Sequence, residues 1–586
     1  MSPRRANAPR AASSAARASA RTTARLWRPH HEARWVAALI AVHLALTLWA
    51  ASKNSVTFDE NFHLPAGVVE VARRDFGVSP VNPPLVKAAC GATALLAGAR
   101  LPDPAAIATH DQWVVGESFM RRNAARYHRV FFAARMVVAL LSCLLALVVW
   151  RFARRLYGPP GGMLALAFYA FSCEALAHAG LATLDVATGL AFTSALYAFW
   201  LFTRTCRWRH WLLLAAAVGF AALTRFTTVL LAPMFLALAA LGTVTHRLKR
   251  PRQVWMGIGL LAITTLLALQ AGYLGRTSWK PIGGWTFRSA LFQSLQHRAP
   301  GLRLPLPDDF VAGLDVQARE GQGNTPTFFL GRILTGRVWL YFPIALLAKW
   351  PLGFLGALAA RLVLAGRRRR RRWHEAFVLL PAAILLLAGV FVLQLNIGIR
   401  YLFTLVPLLC VWLGGFAGPS AKIGAAAWRG ARRWAIAGAA LASLQAAEVL
   451  AATPWYLSFF NRAVGGPGAG FWLVNDSNVD WGQGLIALRD ELRRRGIRRV
   501  NLAYHGTTDP AVYGIDYIPF TGGDPSHESD WIAVSSYFYV GLWQRMTTQT
   551  GRSAVPIKID FRALWGTPPV ASPAGCMYLY RVERGP

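Results

Sequence analysis

The sequence predicts a polytopic α-helical membrane protein, N-terminus inside and C-terminus outside, with a small extracytoplasmic α/β domain at its C-terminal end. Three observations lead there. Hydrophobic residues make up 55% of the 586-residue chain, and its mean hydropathy is +0.35. Apolar stretches of about 20 residues, the length at which a helix crosses a hydrocarbon core, recur along it. The net charge is +36, yet the arginines come in short blocks between those stretches, as loops retained on the cytoplasmic side do. In a soluble chain that charge would suggest nucleic acid, but no groove-reading module is present. The six cysteines are scattered without a CxxC pair and give neither a metal site nor a disulfide framework.

Residues 1–34, rich in Ala, Ser and Arg, read as a disordered basic cytoplasmic tail. His30, His31 and Glu32 within it imitate a metal cluster, and a solvated tail is the simpler account. The first apolar segment, 35–51, lacks a small-residue cleavage site and reads as a retained anchor. Further spans are expected near 130–150, 161–180, 186–203, 211–223, 227–244, 254–275, 345–365, 375–394, 401–417 and 434–453, of which 211–223 is short. With eleven spans, the tail and the basic clusters around Arg151, Arg204, Arg247, the run 367–372 and Lys422/Arg433 all fall on one face. The chain thus divides into the tail, a transmembrane catalytic domain over 35–453, and an extracytoplasmic soluble domain over 454–586.

Two long loops then face outward, 52–129 and 276–344. The piece 85–99 in the first is too short to span and is expected to lie in the interface or re-enter. In the last segment, Leu485, Leu488 and Leu492 stand at helical spacing with Gly496 as the stop. Residues 500–504, 531–535 and 577–582 read as strands.

The chemistry gathers in the first outer loop, at 57–87. Asp59 and Glu60 stand about eight residues beyond the first span, with His63 close behind, and a carboxylate beside a lipid boundary can serve as a raised-pKa general base. A solvated loop acid is the plainer alternative. Asn82 opens a rigid Asn-Pro-Pro turn, and Lys87 follows it. Asp185 lies in the short outward turn before the fourth span; a helix cap is an equal account of it. Lys349, Arg225 and Arg400, the last followed by Tyr401, are cations at outer helix ends, against the topology rule. Binding a lipid phosphate explains them, and snorkelling is the alternative. Two acids and three cations on one face suit a phosphate-activated donor attacked by a deprotonated acceptor. Without a P-loop or Rossmann glycine pattern, nucleotide-driven chemistry is disfavoured.

These residues resemble a known family. TFDENFHLPAG followed by NPPLVK is similar to the first-loop signature of the C-type membrane glycosyltransferases, the family 39-like protein mannosyltransferase and aminoarabinose transferase group. ATLDVA, LTRFTT, YFPIALLAKWPL and GIRYLFTLVPL resemble further blocks of bacterial members, and NDSNVDWGQGLIALRDEL and LAYHGTTDPAVYG resemble their C-terminal region. The resemblance implies an inverting hexosyl- or pentosyltransferase in a bacterial cytoplasmic (inner) membrane, its site on the extracytoplasmic face. It implies a polyprenyl-phosphate sugar donor, a glycan, lipid or protein acceptor, membrane lipids around the chain, and no nucleic acid. Asp59 matches the catalytic base; Glu60 and Asp185 join it as candidate catalytic acids. His63, Asn82, Lys87, Arg225, Lys349, Arg400 and Tyr401 are the candidate substrate-binding residues. Metal use varies across the family, so no ligand is assigned and a divalent cation stays open. A multi-pass lipid or solute transporter or flippase is the competing class, but it calls for midplane charges and a repeat relating two halves. A sensor or scaffold would leave the acid pair without a purpose.

Overall fold

The computed structural model describes residues 29–320, 325–366, 372–417, 425–520, 522, 524–542 and 560–582. The expected tail up to residue 28, the arginine run from 367 to 371, and Lys422 lie outside the described residues. Glu32 is buried in an ion pair with Arg154 (2.7 Å) and belongs to the bundle.

Among the described residues seven helices are long and apolar enough to cross a membrane, and nine if each of two bent pairs counts as one span. The chain is a polytopic helical membrane protein with a small C-terminal sheet. Every segment expected to span is helical; the expected 211–223 forms the 15-residue helix Trp208–Ala222, and the α-helix within the expected 401–417 is only the 9-residue Leu405–Leu413. The bent pairs are Pro159–Ala170 with Cys173–Ala179, at 60°, and Tyr341–Lys349 with Leu352–Leu364, at 114°. Pro351, which cannot donate to the preceding turn, sits at the second bend.

Packing separates inner from outer helices. Helix Asp185–Thr205 is almost wholly buried, whereas Pro251–Gly272 is mostly exposed. The outer helix leaves Met256, Leu260, Ile263 and Leu267 exposed, and Tyr127–Tyr157 likewise leaves Leu140, Leu144 and Leu147 exposed. A helix apolar on its outward face needs lipid there. In the first loop, helices Glu60–Arg73 and Leu85–Leu96 cross in near backbone contact. A Cβ on Gly67 would lie 1.9 Å from the Lys87 carbonyl oxygen, and one on Gly91 would lie 2.2 Å from the Gly67 carbonyl carbon. The short helix Leu85–Leu96 therefore packs on the first-loop helix, its residues Val86, Lys87, Cys90, Gly91 and Ala94 buried.

The loop 276–344 contributes a hairpin that the sequence reading missed, β1 (Thr327–Phe329) and β2 (Arg332–Leu334). Its turn residues Leu330 and Gly331 both have positive φ, and their amides donate to the carbonyls of Leu473 and Trp472. Among the described residues, the C-terminal segment forms helix Leu485–Arg494, stopped by Gly496 (φ 69°), and four strands. These are β3 (Arg499–Ala503), β4 (Asp516–Pro519), β5 (Trp531–Ser535) and β6 (Met577–Arg581), in the order β4-β3-β5-β6. β4 and β5 run parallel to β3, and β6 is the antiparallel edge. β4 was not foreseen, because DYIP carries neither alternation nor length. The C-terminal segment packs onto the start of the first loop: Tyr513 accepts a hydrogen bond from the Val56 amide (2.7 Å), and the Ser55 hydroxyl accepts one from the Leu485 amide (3.0 Å).

Candidate active site

A cavity of about 640 Å³ opens where the loops 52–129 and 276–344 meet the helix ends. Asp59 enters from the end of the segment 55–59, whose backbone pairs with the C-terminal segment: Ser55 donates to Gln483 O and Phe58 to Trp481 O. Helix Glu60–Arg73 starts there, and Asp59, Phe62 and His63 fall on one face because residues three and four apart share a helix side. Asp185 is the first residue of its helix and Thr183 precedes it; both line the cavity. Arg225 comes from the extended residue between Trp208–Ala222 and the following turn, and Arg400 and Tyr401 from the turn before Leu405–Leu413.

Two ion pairs dominate. Arg400 Nη1 donates to Asp59 Oδ2 at 2.7 Å, and Arg225 Nη1 to Asp185 Oδ1 at 2.6 Å. Tyr401 lies under both guanidinium groups, at 5.6 Å from Arg225 and 5.0 Å from Arg400. Burial pushes the Asp59 carboxyl up; Arg400 pulls it back, Asp185 adds to the rise, and the net direction is upward. Burial and the neighbouring cations Lys87, Arg225 and Arg400 hold His63 well below its ordinary value, hence neutral. The Arg400 guanidinium is pushed further up, because its carboxylate and phenol neighbours outweigh burial. The site therefore holds fixed positive charge beside a carboxylate whose basicity is raised, which is what proton removal next to an anionic leaving group requires.

The cavity brings together seven of the ten residues singled out in the sequence: Asp59, His63, Asn82, Asp185, Arg225, Arg400 and Tyr401. Three lie elsewhere, which corrects their placement. Glu60 points away from Asp59 and receives Arg135 Nε (2.8 Å) and Nη2 (2.7 Å), the Ala182 amide (2.7 Å) and the Thr57 amide (2.9 Å). Burial opposes its ionisation, but Arg135 and these donors hold its carboxyl below the ordinary range. Lys87 is buried against Glu70 (2.7 Å) and the Ser79 carbonyl. Lys349, at the 114° bend, donates to the carbonyls of Leu457 (2.7 Å) and Asn478 (2.5 Å). Each of these three groups spends its charge on internal partners, as a buried ion must.

The sequence reading missed Gln112, Trp113, Arg288 and Arg319, which also line the cavity. Arg288 and Arg319 break the same topology rule that marked Arg225 and Arg400. Their loop carries several other arginines, however, so the rule singles out none. Among the described residues no group of three or more His, Cys, Asp or Glu side chains is placed to hold a metal ion. A divalent cation here would have to share Asp59 and Asp185 with their arginines.

Residues 125–269, which carry Asp185 and Arg225, match the model of the dolichyl-phosphate-mannose-protein mannosyltransferase family. The match covers about a quarter of the chain. The chain is also similar to solved structures, all distant. ArnT from Cupriavidus metallidurans bound to undecaprenyl phosphate is 17% identical, with 82% of this chain and 74% of that chain covered and a TM-score of 0.43. The Archaeoglobus fulgidus oligosaccharyltransferase in the apo form is 15% identical, with 72% and 56% covered and a TM-score of 0.45. The match thus spans little more than half of that archaeal enzyme. The Saccharomyces cerevisiae protein O-mannosyltransferase Pmt1-Pmt2 complex bound to the sugar donor gives 14%, 51%, 38% and 0.28. No curated protein sequence matches the chain.

Proposed function

We propose that the chain is a glycosyltransferase that moves a sugar from a polyprenyl-phosphate-linked donor to an acceptor on the outer face of a bacterial cytoplasmic membrane. The observation that carries this reading is the convergence of Asp59, Asp185, Arg225 and Arg400 on one cavity. The family match over 125–269 supports a lipid-phosphate donor. Charge placement supports the outer face. Asp185 and Arg225 stand at the cavity ends of their helices, and Arg204 and the Arg247/Lys249/Arg250 cluster at or beyond the other ends. A 21-residue helix is about 30 Å long, so these ends belong to opposite membrane faces.

In the proposed reaction Asp59 takes the proton of the acceptor hydroxyl. The acceptor oxygen then bonds the anomeric carbon, and the carbon–oxygen bond to phosphate breaks with its electron pair leaving on the phosphate. Attack from the face opposite the leaving group inverts the anomeric configuration. Arg225 and Arg400 offer guanidinium donors to the departing phosphate, to which planar forked donors are matched. A phosphate monoester is a workable leaving group, so the chemistry needs a base on the acceptor more than an acid on the donor.

The test is a deletion strain. Loss of the chain should accumulate one polyprenyl-phosphate sugar and remove that sugar from one envelope component. Unchanged lipid-linked sugars and glycans in that strain would reject the reading.

A further inference from the structure

The segment 475–483, Asn-Asp-Ser-Asn-Val-Asp-Trp-Gly-Gln, lies behind the cavity wall and touches both pieces of chain that carry the Asp59–Arg400 pair. On the Asp59 side, Trp481 O accepts from the Phe58 amide (2.9 Å), Gln483 O from the Ser55 amide (3.0 Å), and Gly482 O from the Ser55 hydroxyl (2.7 Å). On the Arg400 side, Asn478 Oδ1 accepts from the Ile399 amide (3.0 Å), and the Ser477 hydroxyl donates to Ile397 O (2.7 Å) while accepting from Arg400 Nε (3.3 Å). The Trp481 ring lies 4.0 Å from the Arg400 guanidinium carbon, closer than Tyr401. The segment is itself anchored, since Asn478 donates to the Tyr341 hydroxyl and its carbonyl receives Lys349. The approach is tight: a Cβ on Gly398 would lie 2.2 Å from Ser477 Oγ.

We infer that Ser477, Asn478 and Trp481 are positioning residues of the transfer site, which fix where the Arg400 guanidinium stands relative to the Asp59 carboxylate. This rests on the proposed glycosyl transfer for its purpose, but its geometry concerns only these side chains. Asp59 and Arg400 come from loops 341 residues apart, and a guanidinium on a flexible side chain needs more than its salt bridge to hold one orientation. The cradle supplies a hydrogen bond to Nε and an aromatic face, and leaves the Nη groups for Asp59 and a substrate anion. The C-terminal segment thereby becomes part of the working site.

The experiment uses the full chain in nanodiscs with Ser477→Ala, Gly398→Ala, Trp481→Ala and Trp481→Phe. The protonation midpoint of Asp59 is read by infrared difference against Asp59→Asn, and affinity is measured for undecaprenyl phosphate. The other groups that face Asp59 are Asp185, Arg225, Tyr401, Asp476 and His63, and none is altered in any of these variants. Freeing Arg400 weakens its hold, so Trp481→Ala and Gly398→Ala should raise the Asp59 midpoint by about 0.5–1 unit. Undecaprenyl phosphate binding should fall about three- to tenfold in Trp481→Ala, with Trp481→Phe restoring most of it. Should Trp481→Ala not fold, Ser477→Ala, which removes only an oxygen, must still shift the midpoint upward. Wild-type midpoints in folded Ser477→Ala and Gly398→Ala would overturn the inference. Failure of the wild-type chain to bind undecaprenyl phosphate would instead strike the donor reading, and the Asp59 titration would still decide the positioning claim.

Discussion

The adjacent acids Asp59 and Glu60 should differ sharply in how much stability amide substitution costs. All five N–H donors of Arg135 are used: Nε and one Nη2 hydrogen on Glu60, the rest on the carbonyls of Ala51, Asn54 and Ser55. Both partners are buried, with side-chain exposures of 3% and 0%. Glu60→Gln turns one acceptor oxygen into a donor facing donors and leaves the guanidinium without a counter-charge. Breaking one side of a buried pair costs about 3–5 kcal/mol, so this variant should lose most of its margin of stability. Asp59 faces the cavity with its side chain 15% exposed, and its upward-shifted carboxyl means that folding already opposes its charge, so Asp59→Asn should cost clearly less than Glu60→Gln. Unfolding in detergent, followed by near-ultraviolet circular dichroism, measures both. Because the Glu60 pKa lies below its unfolded value, its contribution is present at neutral pH and lost as pH falls through the acid range. The gap between wild type and Glu60→Gln should therefore narrow on acidification. A Glu60→Gln variant as stable as wild type at pH 7, with Asp59→Asn the unstable one, would refute this division of roles.

Three further outcomes are expected. Gly67→Ala and Gly91→Ala should each destabilise by about 1–3 kcal/mol, because neighbouring backbone must move; equal thermal stability would mean the crossing is loose. Burial pushes the carboxyls of Asp476 and Asp480 up to about 7, above their unfolded value. Their stabilising effect is full below the unfolded carboxylate range, about pH 4, and gone above about pH 7, so heat resistance should fall between about pH 4 and 7 and level off above, and Asp480→Asn should flatten that fall. Arg225→Ala should weaken undecaprenyl phosphate binding by about 1.5–3 kcal/mol, with Lys349→Ala altering stability instead; the reverse pattern in a lipid-binding titration would restore Lys349 to the site.

Much of the fold was legible because lipid imposes length and hydropathy on every span. The cavity was legible in part, since an acid just outside the first span and arginines on the wrong face need a reason. That rule fixes which membrane face a residue occupies, but not which backbone carbonyls will surround it. Lys349 therefore looked like Arg400 from the sequence, yet a 114° bend turns it inward to Leu457 and Asn478. Glu60 and Asp59 are likewise alike in sequence, and only the position of Arg135, 75 residues on, separates them. The hairpin β1–β2 escaped notice because its partner, the segment 472–474, is far away in the chain.

The most direct test of Asp59 as the base is donor turnover in proteoliposomes. Purified wild type and Asp59→Asn are given a panel of polyprenyl-phosphate sugars with an envelope extract as acceptor, and released polyprenyl phosphate is measured over time. The account predicts release from one donor by wild type, a rate about 10²–10⁴-fold lower for Asp59→Asn, and donor affinity kept. Near-native release by Asp59→Asn, with Asp185→Asn inactive, would contradict it and move the base to Asp185.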